Sequence, residues 1–191
     1  MTVEALTPPS GHPTNYTTGD RLELTLTGGR VTRLSVDGRD LTGSAPSGFL
    51  ARDVAANSDV YAFDQDACPD LHLLLRATIV TNSDHLAVEG TVTDTTGTDR
   101  AIMLLFALPL DATGWSWGHD IREQKTVAAP EELSNTVGVN CGANGRHSLY
   151  PLACVSDSQS GIALAVDMAK PAQYRLACHA GTKQLLLAYD L

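Results

Sequence analysis

The sequence is poor in positive charge, in aromatic rings, in paired cysteines and in helical periodicity, and each shortage excludes something. Thirteen Lys and Arg residues stand against 22 Asp and Glu, a net charge of −9 over 191 residues. A chain of that sign repels the phosphate backbone of nucleic acids and the anionic surface of membranes, so neither is expected as a partner. The longest apolar run, AIMLLFALPL at residues 101–110, is half the roughly 20 residues a bilayer-spanning helix needs, and it contains Pro109. It reads as a buried strand. The cysteines Cys68, Cys141, Cys154 and Cys178 are single, with no CxxC pair. Cys154 and Cys178 sit inside apolar runs, where a free thiol behaves as a small hydrophobic side chain. Buried thiols are the expected state, with one disulfide as the alternative. The histidines show no HxH or HxxxH spacing, so no transition-metal site is visible and no cofactor is implied. The amino terminus, MTVEALTPPSGHP, has no basic stretch followed by an apolar one, and no secretory leader is read in it.

What the sequence does have is alternation. RLELTLTGGRVTRLSVDG alternates apolar and polar residues on both sides of Gly28 and Gly29, the pattern of a hairpin with a tight glycine turn, and gives two strands over 21–36. LHLLLRATIVTNSDHLAVEGTVTD gives strands near 71–80 and 85–93 around a turn at 82–84. TTGT then turns the chain into a strand at 101–108. SLYPLACVSDSQSGIALAVDM and AQYRLACHAGTKQLLLAYDL add four more strands, with turns at 157–161 and 180–182. AAPEELSNT at 128–136 suits one helical turn, with Pro130 early in it. The expected fold is all-β, a two-layer antiparallel β-sandwich, because a lone sheet would leave its apolar face wet. A chain of this length is most simply one domain, able to bury roughly 70% of its unfolded surface. The sandwich is expected over 20–191, after a flexible segment at 1–19 broken by Pro8, Pro9, Gly11 and Pro13.

The longest stretch without a clean strand pattern, 111–146, holds TGWSWGHDIREQ and with it the two tryptophans, Trp115 and Trp117. If extended, both rings lie on one side of the backbone, where they fill one core or line one binding face. Sugars present apolar C–H faces ringed by hydroxyls, and proteins bind them with an aromatic platform flanked by planar polar groups. Trp115, Trp117, His119, Asp120 and Arg122 supply that mixture, although the spacing of Asp120 and Arg122 equally suits an ion pair. NCGANGRHSLYP is a second candidate, with Asn140, Asn144, Arg146, His147 and Tyr150 around two glycines. The alternatives there are a turn whose asparagines satisfy their own backbone and a Tyr150 packed at a strand start. In FDQDACPD, Asp64, Asp66 and Asp70 offer oxygen ligands to a hard cation or form an exposed acidic loop.

GGRVTRLSVDGRDLTG, GFLARDV, WSWGHDIREQ and GANGRHSLYPLACVSDSQSGIALAVDMAKPAQYRLAC together resemble the N-terminal β-sandwich regions of large glycoside-hydrolase-like proteins, which are similar to the galactose-mutarotase-like supersandwich. The resemblance implies a sandwich that precedes a separate catalytic domain and a role in carbohydrate chemistry. Catalysis within the domain has little support: there is no GxSxG, no cysteine in a catalytic context, and a spacing of three puts Asp120 and Glu123 on opposite faces of a strand. The expectation is a non-catalytic carbohydrate-binding accessory domain. Its partners are a glycan or polysaccharide, held by Trp115, Trp117, His119, Asp120, Arg122, Asn144, His147 and Tyr150, and the adjacent catalytic domain of the same chain. The alternatives are a structural domain that packs on that neighbour without binding glycan, and a small carbohydrate-active enzyme.

Overall fold

The computed structural model describes residues 11–128, 130–137, 147–170 and 172–191. The chain opens with β1 (Thr14–Thr17), β2 (Leu22–Thr27), β3 (Arg30–Val36) and β4 (Arg39–Asp40), which pair in sequence order as an antiparallel amino-terminal sheet. Gly28 and Gly29 both take positive φ, 54° and 82°, as the tight turn between β2 and β3 requires. Next come β5 (Gly48–Asp53), β6 (Tyr61–Ala62), β7 (Ala67–Cys68), a single 3-10 turn at Pro69–Leu71, and the long hairpin of β8 (Leu73–Thr81) and β9 (Leu86–Asp94). With β7 the hairpin makes a three-stranded sheet. After β10 (Ile102–Leu108) follow β11 (Ser116–Gly118), β12 (Gln124–Thr126), β13 (Glu132–Ser134), β14 (Thr136–Val137) and β15 (His147–Ser148). The chain ends with β16 (Leu152–Ser156), β17 (Gly161–Ala165), β18 (Gln173–His179) and β19 (Gln184–Asp190).

The central sheet has six strands in the order β13-β18-β19-β10-β5-β6, and a lateral sheet has four, β12-β11-β16-β17. A β14–β15 pair completes five antiparallel sheets among the described residues, in a propeller-like arrangement. The fold is all-β and antiparallel. The central sheet explains the apolar run: Ile102 and Leu108 of β10 face one side, Met103, Leu105 and Ala107 the other, and all five are buried. A strand buried on both faces has no polar positions to alternate with.

Two cores lie on the side of Ile102 and Leu108. The larger joins Leu24, Leu26 and Leu34 of the amino-terminal sheet to Trp117, Val155 and Ile162 of the lateral sheet and to Leu176 and Leu185 of the central one. The smaller packs Leu73 and Leu75 of β8 on Phe49, Ala51 and Ile102. Between them Phe49 and Phe106 stack at 5.1 Å with a 57° tilt, an aromatic geometry worth about 0.5–1.5 kcal/mol beyond area. Gly48 fixes how the sheets meet. Its φ is +80°, and a Cβ there would lie 2.0 Å from the Gly29 carbonyl oxygen, which accepts a hydrogen bond from Phe49 N at 3.0 Å.

Three sequence expectations are corrected. Pairing begins at Thr14, inside the segment expected to be flexible, because Thr14–Thr17 align with Glu23–Leu26 across an antiparallel ladder; residues 1–10 lie outside the described residues. The helical turn expected at 128–136 is replaced by β13, whose Leu133 reaches the larger core opposite Cys178. The irregular stretch 111–146 contains the short strands β11 to β14. Cys68 and Cys178 are buried free thiols and Cys154 is half-buried and free; burial pushes Cys178 up to about 11. Cys141 lies outside the described residues.

Candidate functional site

The tryptophan segment folds as a short hairpin of the lateral sheet, with Trp117 opposite Lys125 on β12 and Val155 on β16. Alternation sends Trp117 inward, where it is 0% exposed, and Trp115 follows at 7%. Both rings belong to the larger core, so neither offers a face to a sugar. Trp115 already has a stacking partner: the Arg39 guanidinium lies 5.4 Å from its ring centroid. Arg39 is itself held by Asp157 at 2.6 Å, and that contact with the guanidinium lowers the Asp157 carboxyl to about 2. The binding platform read in the sequence is thus a core ring pair, because the lateral sheet needs bulk to fill the space above the central one.

The residues after the tryptophans build the turn. Asp120 Oδ1 accepts hydrogen bonds from the backbone N–H of Arg122 at 2.6 Å and of Glu123 at 2.7 Å, and these donors hold its carboxyl below the ordinary range. The Asp120–Arg122 ion pair that the spacing suggests does not form, since Asp120 points along the turn while the Arg122 side chain is exposed. Ile121 at the tip is 90% exposed. His119 is half-buried, and its Nε2 lies 3.2 Å from Lys125 Nζ.

The second candidate group stands on other elements. His147 lies on β15, where the neighbouring Ser148 hydroxyl accepts a hydrogen bond from Leu176 N at 2.8 Å and so ties the strand to β18 of the central sheet. Tyr150 follows at 36% exposure, and Asn140, Asn144 and Arg146 lie outside the described residues. The seven described residues therefore do not converge: two are core, three form a hairpin tip on the lateral sheet, and two belong to the edge of β15. The aspartates of FDQDACPD also diverge. Asp64 closes a two-way backbone bridge with Ala67, Asp66 turns to a neighbouring cleft, and no group of three metal-ligating side chains exists among the described residues.

That cleft is the concave site the sequence did not reveal. The β8–β9 hairpin is pinned at both ends. Its base is held by Leu73 and Leu75 in the smaller core and by Arg100, which bonds Asp94 at 2.7 Å, Asp53 at 3.6 Å and the Leu71 carbonyl. Its tip is held by the Ser83 carbonyl, which accepts from Asp20 N at 3.1 Å. Between these anchors the ladder pairs Ala77 with Gly90, so no large side chain closes the gap to the amino-terminal sheet. The result is an open cleft of about 500 Å³ between β8 and the β1–β2 pair, a volume in the general range of small-molecule pockets. Leu26, Phe49 and Leu75 form its buried apolar base. Thr14, Asp66, Arg76 and Thr78 line it as exposed groups, and Tyr16 lines it half-buried. These polar groups come from three distant segments, and the only hints in the sequence are a charged Arg76 inside LLLRATIV and a lone tyrosine before the first hairpin.

Comparison with protein-family models, with curated proteins and with solved structures returns no match for this chain.

Proposed function

We propose that the chain works as a non-catalytic glycan-binding module, and that its sugar site is the cleft between β1–β2 and β8. The observation that carries this reading is the lining: an apolar base, one half-buried tyrosine ring, and hydroxyl, carboxylate and guanidinium groups that have no hydrogen-bond or ion-pair partner of their own among the described residues. A pyranose needs that combination, with a ring face for its C–H groups and planar polar groups for its hydroxyls. The relation to galactose-mutarotase-like sandwiches and to a neighbouring catalytic domain belongs to the same proposal. It is supported by the four sequence stretches and by a broad central sheet that carries smaller sheets on one face. Screening on a glycan array followed by calorimetry tests it. Tyr16→Leu, which keeps the packing and removes the ring and hydroxyl, should lower glycan affinity at least about ten-fold; glycan binding unchanged in that variant overturns the cleft assignment.

A second reading, docking of the neighbouring domain without glycan, is favoured by the outward face of the lateral sheet. Ser116, Gly118, Cys154, Ser156, Ala163 and Ala165 share that face, which holds no charged side chain, and the adjoining Leu152 is 52% exposed. An outward sheet face usually alternates to charged residues. In a longer parent protein, Ala163→Glu should then speed proteolytic release of this domain, and an unchanged release rate refutes that reading.

A further inference from the structure

We infer that the cleft selects glycans that carry a carboxylate, and that Arg76 is the residue that reads it; this rests on the glycan-binding reading above. In a chain this acidic, cations are quickly claimed by carboxylates. Lys125, Lys170 and Lys183, and Arg21, Arg33, Arg39, Arg100 and Arg175, all meet one. Arg76 meets none among the described residues, although it stands on a strand with an acid close by.

The ladder shows why. Arg76 lies opposite Thr91, with Glu89 and Thr93 as its diagonal neighbours on β9, so Glu89 is the one carboxylate on that face within cross-strand reach. Glu89 is already taken: its Oε1 lies 2.6 Å from Lys170 Nζ, from the turn between β17 and β18. Asp66 lines the same cleft but forms no ion pair with Arg76 among the described residues. Lys170 thereby leaves a guanidinium free at the edge of a concave site. Its planar fork matches a carboxylate bidentately, which a neutral hydroxyl cannot reproduce. Asp66, as an acceptor only, suits the hydroxyls of the same sugar.

Calorimetry with tetragalacturonate and with its carboxyl-reduced tetramer tests this. The acidic tetramer should bind about ten-fold more tightly than the reduced one. Arg76→Gln should bring the two to equal affinity, Arg76→Lys should retain part of the preference, and Arg122→Gln, on the lateral hairpin, should leave it intact. Lys170→Met frees Glu89 to capture Arg76 and should also shrink the preference, with melting temperature recorded for each variant. Equal affinity of the two tetramers for the wild-type chain, a preference that survives in Arg76→Gln, or one undiminished in Lys170→Met overturns the inference while glycan binding stands. If tetragalacturonate does not bind the inference fails, and if the array is also blank the glycan-binding reading fails with it.

Discussion

The β11–β12 and β8–β9 hairpins invite comparison, because the first holds the residues that look chemical and the second borders the cleft. The short hairpin spends its aromatic rings on the core, covers Trp115 with Arg39 and uses Asp120 to cap its own turn. The long hairpin is thin at its middle, where Ala77 faces Gly90, and leaves Arg76 and Thr78, which line the cleft, unclaimed. The lesson is that a side chain's residue type says less than what its sheet needs from it. A sheet that must fill space consumes its large and planar groups; one anchored chiefly at its ends leaves some of them free.

The largest test of that contrast is Trp117→Ala. Deleting a ring with no exposure should destabilise the chain by about 3–5 kcal/mol, and at roughly 2–4 °C per kcal/mol for this size the melting temperature should fall by about 10 °C or more by calorimetry. Residual folded protein should bind glycan as the wild type does. A small fall, with binding lost, would return the sugar site to the tryptophan segment.

Arg100→Met should come next. It cuts the tie between the hairpin base, the central sheet and the Leu71 carbonyl, and should lower the melting temperature by roughly 5 °C. Hydrogen exchange along Leu73–Thr81 should rise more than along Ser116–Gly118. Equal increases would show that the two hairpins do not differ in how they are anchored.

A third test uses acid. Arg39 lowers Asp157 to about 2, Lys183 lowers Asp111 to about 2, and Arg100 holds Asp94 lower still. Because the folded values lie below the unfolded ones, near 4, this stabilisation is complete above about pH 4 and is lost as pH falls toward 2. Melting temperature should drop over that window, and Asp157→Asn should flatten the drop. A melting temperature constant from pH 5 to pH 2.5 would rule out these pairs as contributors. The smallest expected effect is on stability in the cleft: Asp66→Asn should move the melting temperature by less than about 2 °C, since Asp66 is exposed and makes no side-chain bond among the described residues. The same variant should weaken glycan binding, and no loss of affinity would remove Asp66 from the site.

Much of the fold was legible in the sequence. The hairpin at 21–36, the turn after β8 and the last two hairpins follow from alternation and turn residues, and β10 from its unbroken apolar run. Most of the strands that were missed, β1, β4, β6, β7 and β11 to β15, are two to four residues long, too short for alternation to register; the six-residue β5 was missed because it is buried along nearly its whole length and so does not alternate, and β5, β11 and β13 each find a partner remote in sequence. The cleft was illegible for the same reason. It brings Thr14 and Tyr16 beside Asp66 and Arg76 only because the hairpin is tied down at Ser83 and Arg100, contacts no local pattern announces. The tryptophans misdirected because their spacing fits a core and a binding face equally, and only the burial of Trp117 separates the two.

The strand order of the central sheet bears on how the protein is made. β10, apolar on both faces, sits between β5, made before it, and β19, made last among the strands. During synthesis at about 5–20 residues per second, one edge of β10 stays open for roughly 4–15 s until Gln184–Asp190 emerges. Throughout that interval AIMLLFALPL is an unprotected, uncharged, β-prone segment. Premature termination before β19 should therefore yield aggregates rather than a soluble fragment, and production of the chain should benefit from slower translation or from chaperones that shield a nascent strand.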